Sequence, residues 1–448
     1  MDEGIAARRN LRAVAIAGGA AVVGVIGAQI VVRREPVGDF PLHWRFGGRF
    51  LAGGYLYGDG HVPYPPAWGL ACALLRAFPL HAAQVLAYPI GPAVLAGLTI
   101  LLDRLSRRSL PLDRAARFRA TTLALVLASR FLIRELPECG PNLVMVALTW
   151  AGLAGWRGRR EGLGGACLGL AIALKCTPAL FVPYLALKRQ WRMVGTTTLF
   201  AAAFTLVPAT WMGPSSFRGH FRVWAAHCAR GMVAADPSVG VLGQEEVKNH
   251  ALRPVLARFL MELPPGHLGR LDSRWRARGL ALPPAVAGAA IKAGLALLLI
   301  GVGWAFRHPV RDRRDPAILW EAAGVSILIL LLSPLTWRQH CVGAYPACYL
   351  IARTAVARGG LPRGLTRALG VYAVGVIGLD RWVVGRAGTL VLDSWGVTTW
   401  SLVILLGVTL GCRGLRVGNA ARPSIRRGRP STAGRSHLAS APTGSGPG

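Results

Sequence analysis

Apolar runs near 20 residues long recur from residue 12 to residue 412, separated by short arginine-rich stretches. A helix needs ~20 such residues to cross a bilayer, so the pattern predicts an all-α, polytopic integral membrane protein. The predicted crossings are 12–32, 64–102 (one long passage interrupted by Pro79 and Pro89), 119–134, 140–156, 163–187, 193–212, 281–305, 317–334, 340–353, 367–385 and 394–412. Segment 163–187 counts as two half-length helices meeting near Lys175-Cys176-Thr177-Pro178. Pro178 removes a backbone donor there, and interrupted helices are tolerated where they line a cavity. The total is about twelve crossings.

Arginine clusters at 8–12, 103–119, 157–161, 188–192, 306–314, 353–366 and 413–427 place those loops on the cytoplasmic side. The first outer loop is then 33–65 and the long outer loop 213–280, with a surface helix expected at 251–263. The basic start of the chain, followed by a long apolar run without a clear cleavage site, reads as an uncleaved first transmembrane helix. Residues 1–412 form a single transmembrane domain in this reading. The tail 413–448, rich in Arg, Ser, Gly and Pro, is expected to be disordered and cytoplasmic.

Composition narrows the class. Of 448 residues 53% are hydrophobic and only 16% charged, below the roughly 25% of soluble domains. The formal charge of +32 comes from 52 basic against 20 acidic residues. Its arginines fall between apolar runs, as expected at an anionic membrane surface, so nucleic acid is not an expected partner. The eight cysteines show no CxxC pair, and neither a metal site nor a disulfide framework is implied. No nucleotide-binding loop is present, and the expected cofactor complement is none.

The unusual polar residues collect on the outer face. Asp39 follows the first crossing, with His43, Trp44, Arg45 and Arg49 after it, then Tyr55, Tyr57, Asp59, His61 and Tyr64. Asp39 is either the cap of a helix starting at Phe40-Pro41 or a carboxylate placed to take a proton from a sugar hydroxyl, and one residue can do both. The run Ser333-Pro334-Leu335-Thr336-Trp337-Arg338-Gln339-His340 supplies donors suited to a phosphate, unless Trp337 and Arg338 are ordinary interfacial anchors. Lys175 lies within an apolar run, which marks it as functional or as snorkelling to an interface. Asn142, with Arg134, Glu135 and Glu138 nearby, and the loop stretch Lys248-Asn249-His250 are weaker signals.

These elements, in this order, resemble glycosyltransferase family 87: Asp39-Phe40, then Gly-Gly-Tyr-Leu-Tyr ending in Tyr64-Pro65-Pro66, Asn142 opening an apolar helix, Lys175-Cys176-Thr177-Pro178, and Ser333 to His340. The resemblance spans about residues 12–412. It implies a GT-C-like fold and inverting transfer of a hexose, mannose by family default, from a polyprenyl-phosphate donor. The acceptor would be a glycan or glycolipid at the extracytoplasmic face of the plasma membrane. It further implies Asp39 as general base and His340 and Lys175 at the donor phosphate, where Arg338 is added for its charge. His43, Trp44, Arg49, Tyr57, Tyr64, Asn142, Asn249, His250 and Trp337 are expected around donor and acceptor.

The sequence departs from the family pattern in two places. Cys139-Gly140-Pro141 precedes Asn142 without the Gln often found there, and Asn249-His250-Ala251-Leu252 stands where an Asn-Gln-Ser-Leu-like run is common. Two other readings stay open on the residues alone: a lipid or sugar transporter or flippase, for which a broken helix with a lysine is also typical, and a membrane-assembly protein without catalysis.

Overall fold

A computed structural model describes residues 2–32, 38–58 and 64–415, with side chains from residue 17 onward. Asp59, His61 and the tail from residue 416 lie outside the described residues. Almost every element is helical, apart from a two-residue hairpin pairing Val239–Gly240 with Gly243–Gln244.

Three described helices are long and apolar enough to cross a bilayer: Leu80–Ser106, Trp191–Met212 and Pro284–Ala305. Five shorter apolar helices accompany them, namely Ala17–Val32, Glu161–Leu174, Thr177–Leu187, Ala317–Leu332 and Val397–Arg413. This is a membrane protein. The predicted break at Lys175 is present: one helix ends at Leu174, and a 3-10 turn, Thr177–Leu180, leads into Phe181–Leu187. The expected surface helix is Leu252–Leu260.

Three boundaries differ from expectation. The crossing expected over 64–102 begins only at Leu80, because Pro79 closes a separate short helix and 3-10 turn, Pro66–Ala77. The expected segment 367–385 is not continuous: Arg363–Gly378 and Arg381–Ser394 meet at 93°. Asp380 caps the second helix by accepting from the Trp382 amide, which starts a new helix where the apolar pattern had suggested one passage. The short segment 340–353 is a 3-10 turn, Arg338–Ala344, running into the helix Tyr345–Arg358. A further 20-residue helix, Pro214–Val233, lies within the segment 213–280 expected as the long outer loop and was not anticipated.

The segments expected as the two outer loops fold together. In the helix Phe40–Leu51 the buried positions are Phe40, His43, Gly47 and Phe50, a 3-4-3 spacing that makes one apolar stripe. Phe50, Leu56 and Tyr57 pack with Trp224 of the helix Pro214–Val233, while the Leu56 amide donates to His220 Nε2 at 3.2 Å. The stripe meets the helix Pro66–Ala73 closely, since a Cβ on Gly47 would lie 2.2 Å from the Cys72 carbonyl oxygen. Gly47→Val is therefore expected to push these helices apart and lower the melting temperature in detergent, with loss of activity following the loss of fold.

Elsewhere, a buried ionic knot joins four segments. Lys188 Nζ lies 2.6 Å from Glu321 Oε2 and donates to the carbonyls of Phe306 and His308. Arg413 donates to the other Glu321 oxygen at 2.7 Å, and Tyr184 donates to Glu321 at 3.0 Å. Removing one partner strands a buried charge, a loss of about 3–5 kcal/mol. Glu321→Ala is thus expected to unfold or strongly destabilise the chain, read as loss of the monodisperse peak in size-exclusion chromatography.

Candidate active site

Asp39 sits at the start of the helix Phe40–Leu51, and its backbone carbonyl takes the first helical bonds, from Leu42 at 2.9 Å and His43 at 3.3 Å. Its side chain does not cap the helix. Instead Gln339 Nε2 donates to Asp39 Oδ2 at 3.0 Å from 300 residues away, and the Asp39 amide donates to Glu138, which also holds Arg134 at 3.0 Å. The turn needs Gly38, whose φ is +74°, because a Cβ there would lie 1.9 Å from Glu138 Oε2. Gly38→Ala is expected to displace Asp39 and to cut activity more than thermal stability, checked by assaying both on one preparation.

The carboxylate opens onto a cleft of about 890 Å³. Its wall brings together Asp39, His43, Arg49, Tyr64, Lys175, Trp337 and His340 from four separated parts of the chain. A second, largely apolar cavity of about 530 Å³ continues from it between the membrane helices, sharing Lys175, Thr177, Ser333, Leu335 and His340. Charged side chains of the first volume thus adjoin a second one lined by Met145, Val146, Phe181, Ile329 and Leu330.

Lys175 is held at the helix break. Its Nζ donates to Asn142 Oδ1 at 2.9 Å and lies 5.7 Å from the centre of the Tyr64 ring. Asn142 in turn donates from Nδ2 to Glu135 Oε2 at 2.8 Å, while Glu135 Oε1 accepts from the backbone amides of Asn142 and Leu143. Both Glu135 oxygens accept hydrogen bonds here, and the Asn142 NH₂ is one of the donors, so the Asn142 amide turns its oxygen toward Lys175. An ammonium has three donors, so two remain for a ligand.

His340 is fixed through one nitrogen. Its Nδ1 lies 3.2 Å from both the Trp337 amide and the Leu335 carbonyl, and its ring stacks on Trp337 at 6.0 Å. That leaves Nε2 for a ligand. On the facing wall His43 Nδ1 accepts from Trp68 Nε1 at 3.2 Å, within an edge-on group of His43, Tyr64 and Trp68. Burial, reinforced by the Lys175 charge, pushes His43 down to about 4. The ring is neutral at pH 7, and the protonation it resists in the fold makes stability fall as pH drops from about 6.5 toward 4. Melting curves across that range should show this acid loss, and His43→Asn should flatten it.

Other expected site residues lie elsewhere. Arg338 turns away from the cleft to pair with Asp393, because that buried carboxylate offers it a partner. Trp44 faces the helix end, donating to the Phe78 carbonyl at 3.1 Å beneath the Arg76 guanidinium. Tyr57 is buried behind the wall, its hydroxyl donating to the Tyr64 carbonyl at 3.2 Å. Asn249 and His250 do not reach the cleft either. Asn249 accepts from the Thr336 amide at 2.9 Å and donates to Glu245 and to the Pro334 carbonyl, while the His250 amide donates to Thr336. These two residues lock the segment around Glu245–His250 onto the one that carries His340. Arg49 is on the wall and also donates to the Leu56 carbonyl at 3.1 Å.

Gln339 and Glu135 are the important residues that the sequence reading missed or ranked low. Gln339 stood inside the noted run, one position before His340, and nothing in a linear pattern pairs it with Asp39. Among the described residues no group of three or more His, Cys, Asp or Glu side chains could hold a metal ion.

Residues 62–334, more than half of the chain, match the model of glycosyltransferase family 87. The chain belongs to this family. It is therefore a glycosyltransferase, and family membership replaces the transporter and assembly readings. No curated protein and no solved structure matched in the other comparisons. The family match includes Tyr64, Asn142 and Lys175 of this transferase. Asp39 and His340 lie outside it and join the site through the fold.

Proposed function

We propose that the chain transfers a hexose, mannose by family default, from a polyprenyl-phosphate sugar to a glycan or glycolipid acceptor, with inversion at the anomeric carbon. Asp39 takes the proton from the acceptor hydroxyl as that oxygen attacks the anomeric carbon. The bond from that carbon to the phosphate oxygen breaks, and the polyprenyl phosphate leaves with the electron pair. Lys175 and His340 Nε2 stabilise the charge growing on the departing phosphate, an electrostatic role that gains strength away from bulk water. Tyr64, His43 and Trp337 shape the space for the sugars.

What supports this reading is one observation: a carboxylate, an ammonium and an imidazole share a cleft that continues into an apolar cavity. The lipid tail of the donor then needs only that apolar space, while the head group meets the charged residues. About twelve crossings, a plasma-membrane location and an outward-facing cleft complete the proposal, the last two following the arginine distribution. The test is transfer from labelled polyprenyl-phosphate sugars, mannose and glucose among them, by purified protein in detergent. Transfer with inversion supports the reading, and activity only with nucleotide sugars overturns it.

A further inference from the structure

A second cleft lies far from the catalytic one. The helix Asn142–Arg157 begins beside Lys175 and ends at this cleft, Glu161–Leu174 returns from it to Lys175, and Ala317–Leu332 runs from its edge to Ser333. Helices of 14 to 16 residues at 1.5 Å per residue set the two clefts roughly 21–24 Å apart. With an apolar body between, that separation approaches the ~30 Å hydrocarbon thickness of a bilayer, as for a cleft near the opposite membrane interface.

Its lining is six arginines against two carboxylates, around an open volume of about 1440 Å³. Two of the arginines build the walls. Arg313 pairs with Glu161, and Arg157 donates to the carbonyls of Asp315 at 2.9 Å and Arg314 at 3.1 Å. The other four, Arg159, Arg192, Arg311 and Arg314, have no side-chain acceptor among the described residues and are exposed. Arg159 holds a left-handed backbone, φ +61°, at the turn between two helices, a conformation that costs a non-glycine residue energy. Mere positive-inside charge needs only basic loops, whereas here two arginines form walls and four more line an open cleft, Arg192 beside Glu161.

We propose that this cleft binds the phosphate of an anionic membrane lipid headgroup. Guanidinium groups match phosphate oxygens in geometry and charge, the volume exceeds what one small anion fills, and the interface places lipid headgroups beside it. The same chemistry would accept a soluble phosphate, so the probes must separate the two sources.

The experiment uses the full-length protein in a non-ionic detergent, with phosphatidylglycerol, phosphatidylcholine and inorganic pyrophosphate titrated separately and binding read by thermal shift and native mass spectrometry. The native chain is expected to bind phosphatidylglycerol over phosphatidylcholine, with affinity falling as salt rises. The triple variant Arg192→Gln/Arg311→Gln/Arg314→Gln should weaken that binding roughly 100-fold, at about fivefold per basic residue. The matching triple lysine variant keeps the charge without the guanidinium fork and should bind between the native chain and the glutamine variant, which separates loss of charge from loss of folding. Competition by pyrophosphate supports phosphate as the recognised group. Pyrophosphate binding without lipid binding overturns the lipid assignment, and lipid binding unchanged in the glutamine variant overturns the site.

Discussion

Asp39→Asn is expected to lower sugar transfer by ~10²–10⁴-fold, the usual contribution of a positioned general base. The substitution keeps the size of the side chain and leaves its Oδ1 as an acceptor, but removes the charge that takes up a proton. Because the Asp39 carboxylate does not cap its helix, the helix Phe40–Leu51 should survive the change and the melting temperature should move little. The loss should fall on kcat, since the base acts in the transition state. Gln339 makes a companion test. It donates to Asp39 at 3.0 Å, so Gln339→Ala should free the carboxylate to rotate and produce a smaller loss, while Gln339→Ala/Asp39→Asn should fall no further than Asp39→Asn alone. Transfer by Asp39→Asn at the native rate would remove Asp39 as the base.

Lys175→Met is expected to cost about 10²–10³-fold, comparable to losing a preorganised donor at a developing anion. Met keeps the length and apolar contacts of the lysine stem and removes only the ammonium. Lys175 reaches its place through Asn142 and Glu135, which predicts a graded series. Glu135→Gln lets the Asn142 amide turn over and present its NH₂ to Lys175, so two donors would face each other. It should raise the KM for the lipid-phosphate donor and shift the pH profile of transfer, with a smaller effect on kcat than Lys175→Met. A purely structural role for Glu135 would lower stability and leave the pH profile in place. Equal turnover by Lys175→Met and the native chain would exclude Lys175 from the departing phosphate.

The membrane character of the chain, its mostly helical class and the break at residues 174–177 were legible in one dimension. Each depends on a short-range cause: the apolar run needed to span lipid, the missing amide of Pro178, the lysine that an apolar helix cannot bury unaided. The run boundaries were less legible. A polar cap such as Asp380 starts a second helix, at 93° to the one before it, within a stretch apolar enough to read as a single span. Apolar runs measure suitability for lipid, whereas helix ends are set by individual hydrogen bonds.

The candidate site divides in the same way. Asp39, Lys175 and His340 stand out by composition alone, as a carboxylate in a basic chain, a lysine in an apolar run and a histidine at a helix junction. Which of their neighbours join them was settled only in three dimensions. Arg338 and Gln339 are adjacent in sequence, yet the 3-10 turn sends one to Asp393 and the other to Asp39. Asn249 and His250 looked like site residues and are instead the hydrogen bonds that hold the His340 segment in place. Sequence by itself determined where polar groups interrupt lipid-compatible helices, because that depends on each residue's own transfer free energy. Tertiary structure decided which of those groups face one another, because that depends on backbone directions fixed by packing between segments up to 300 residues apart.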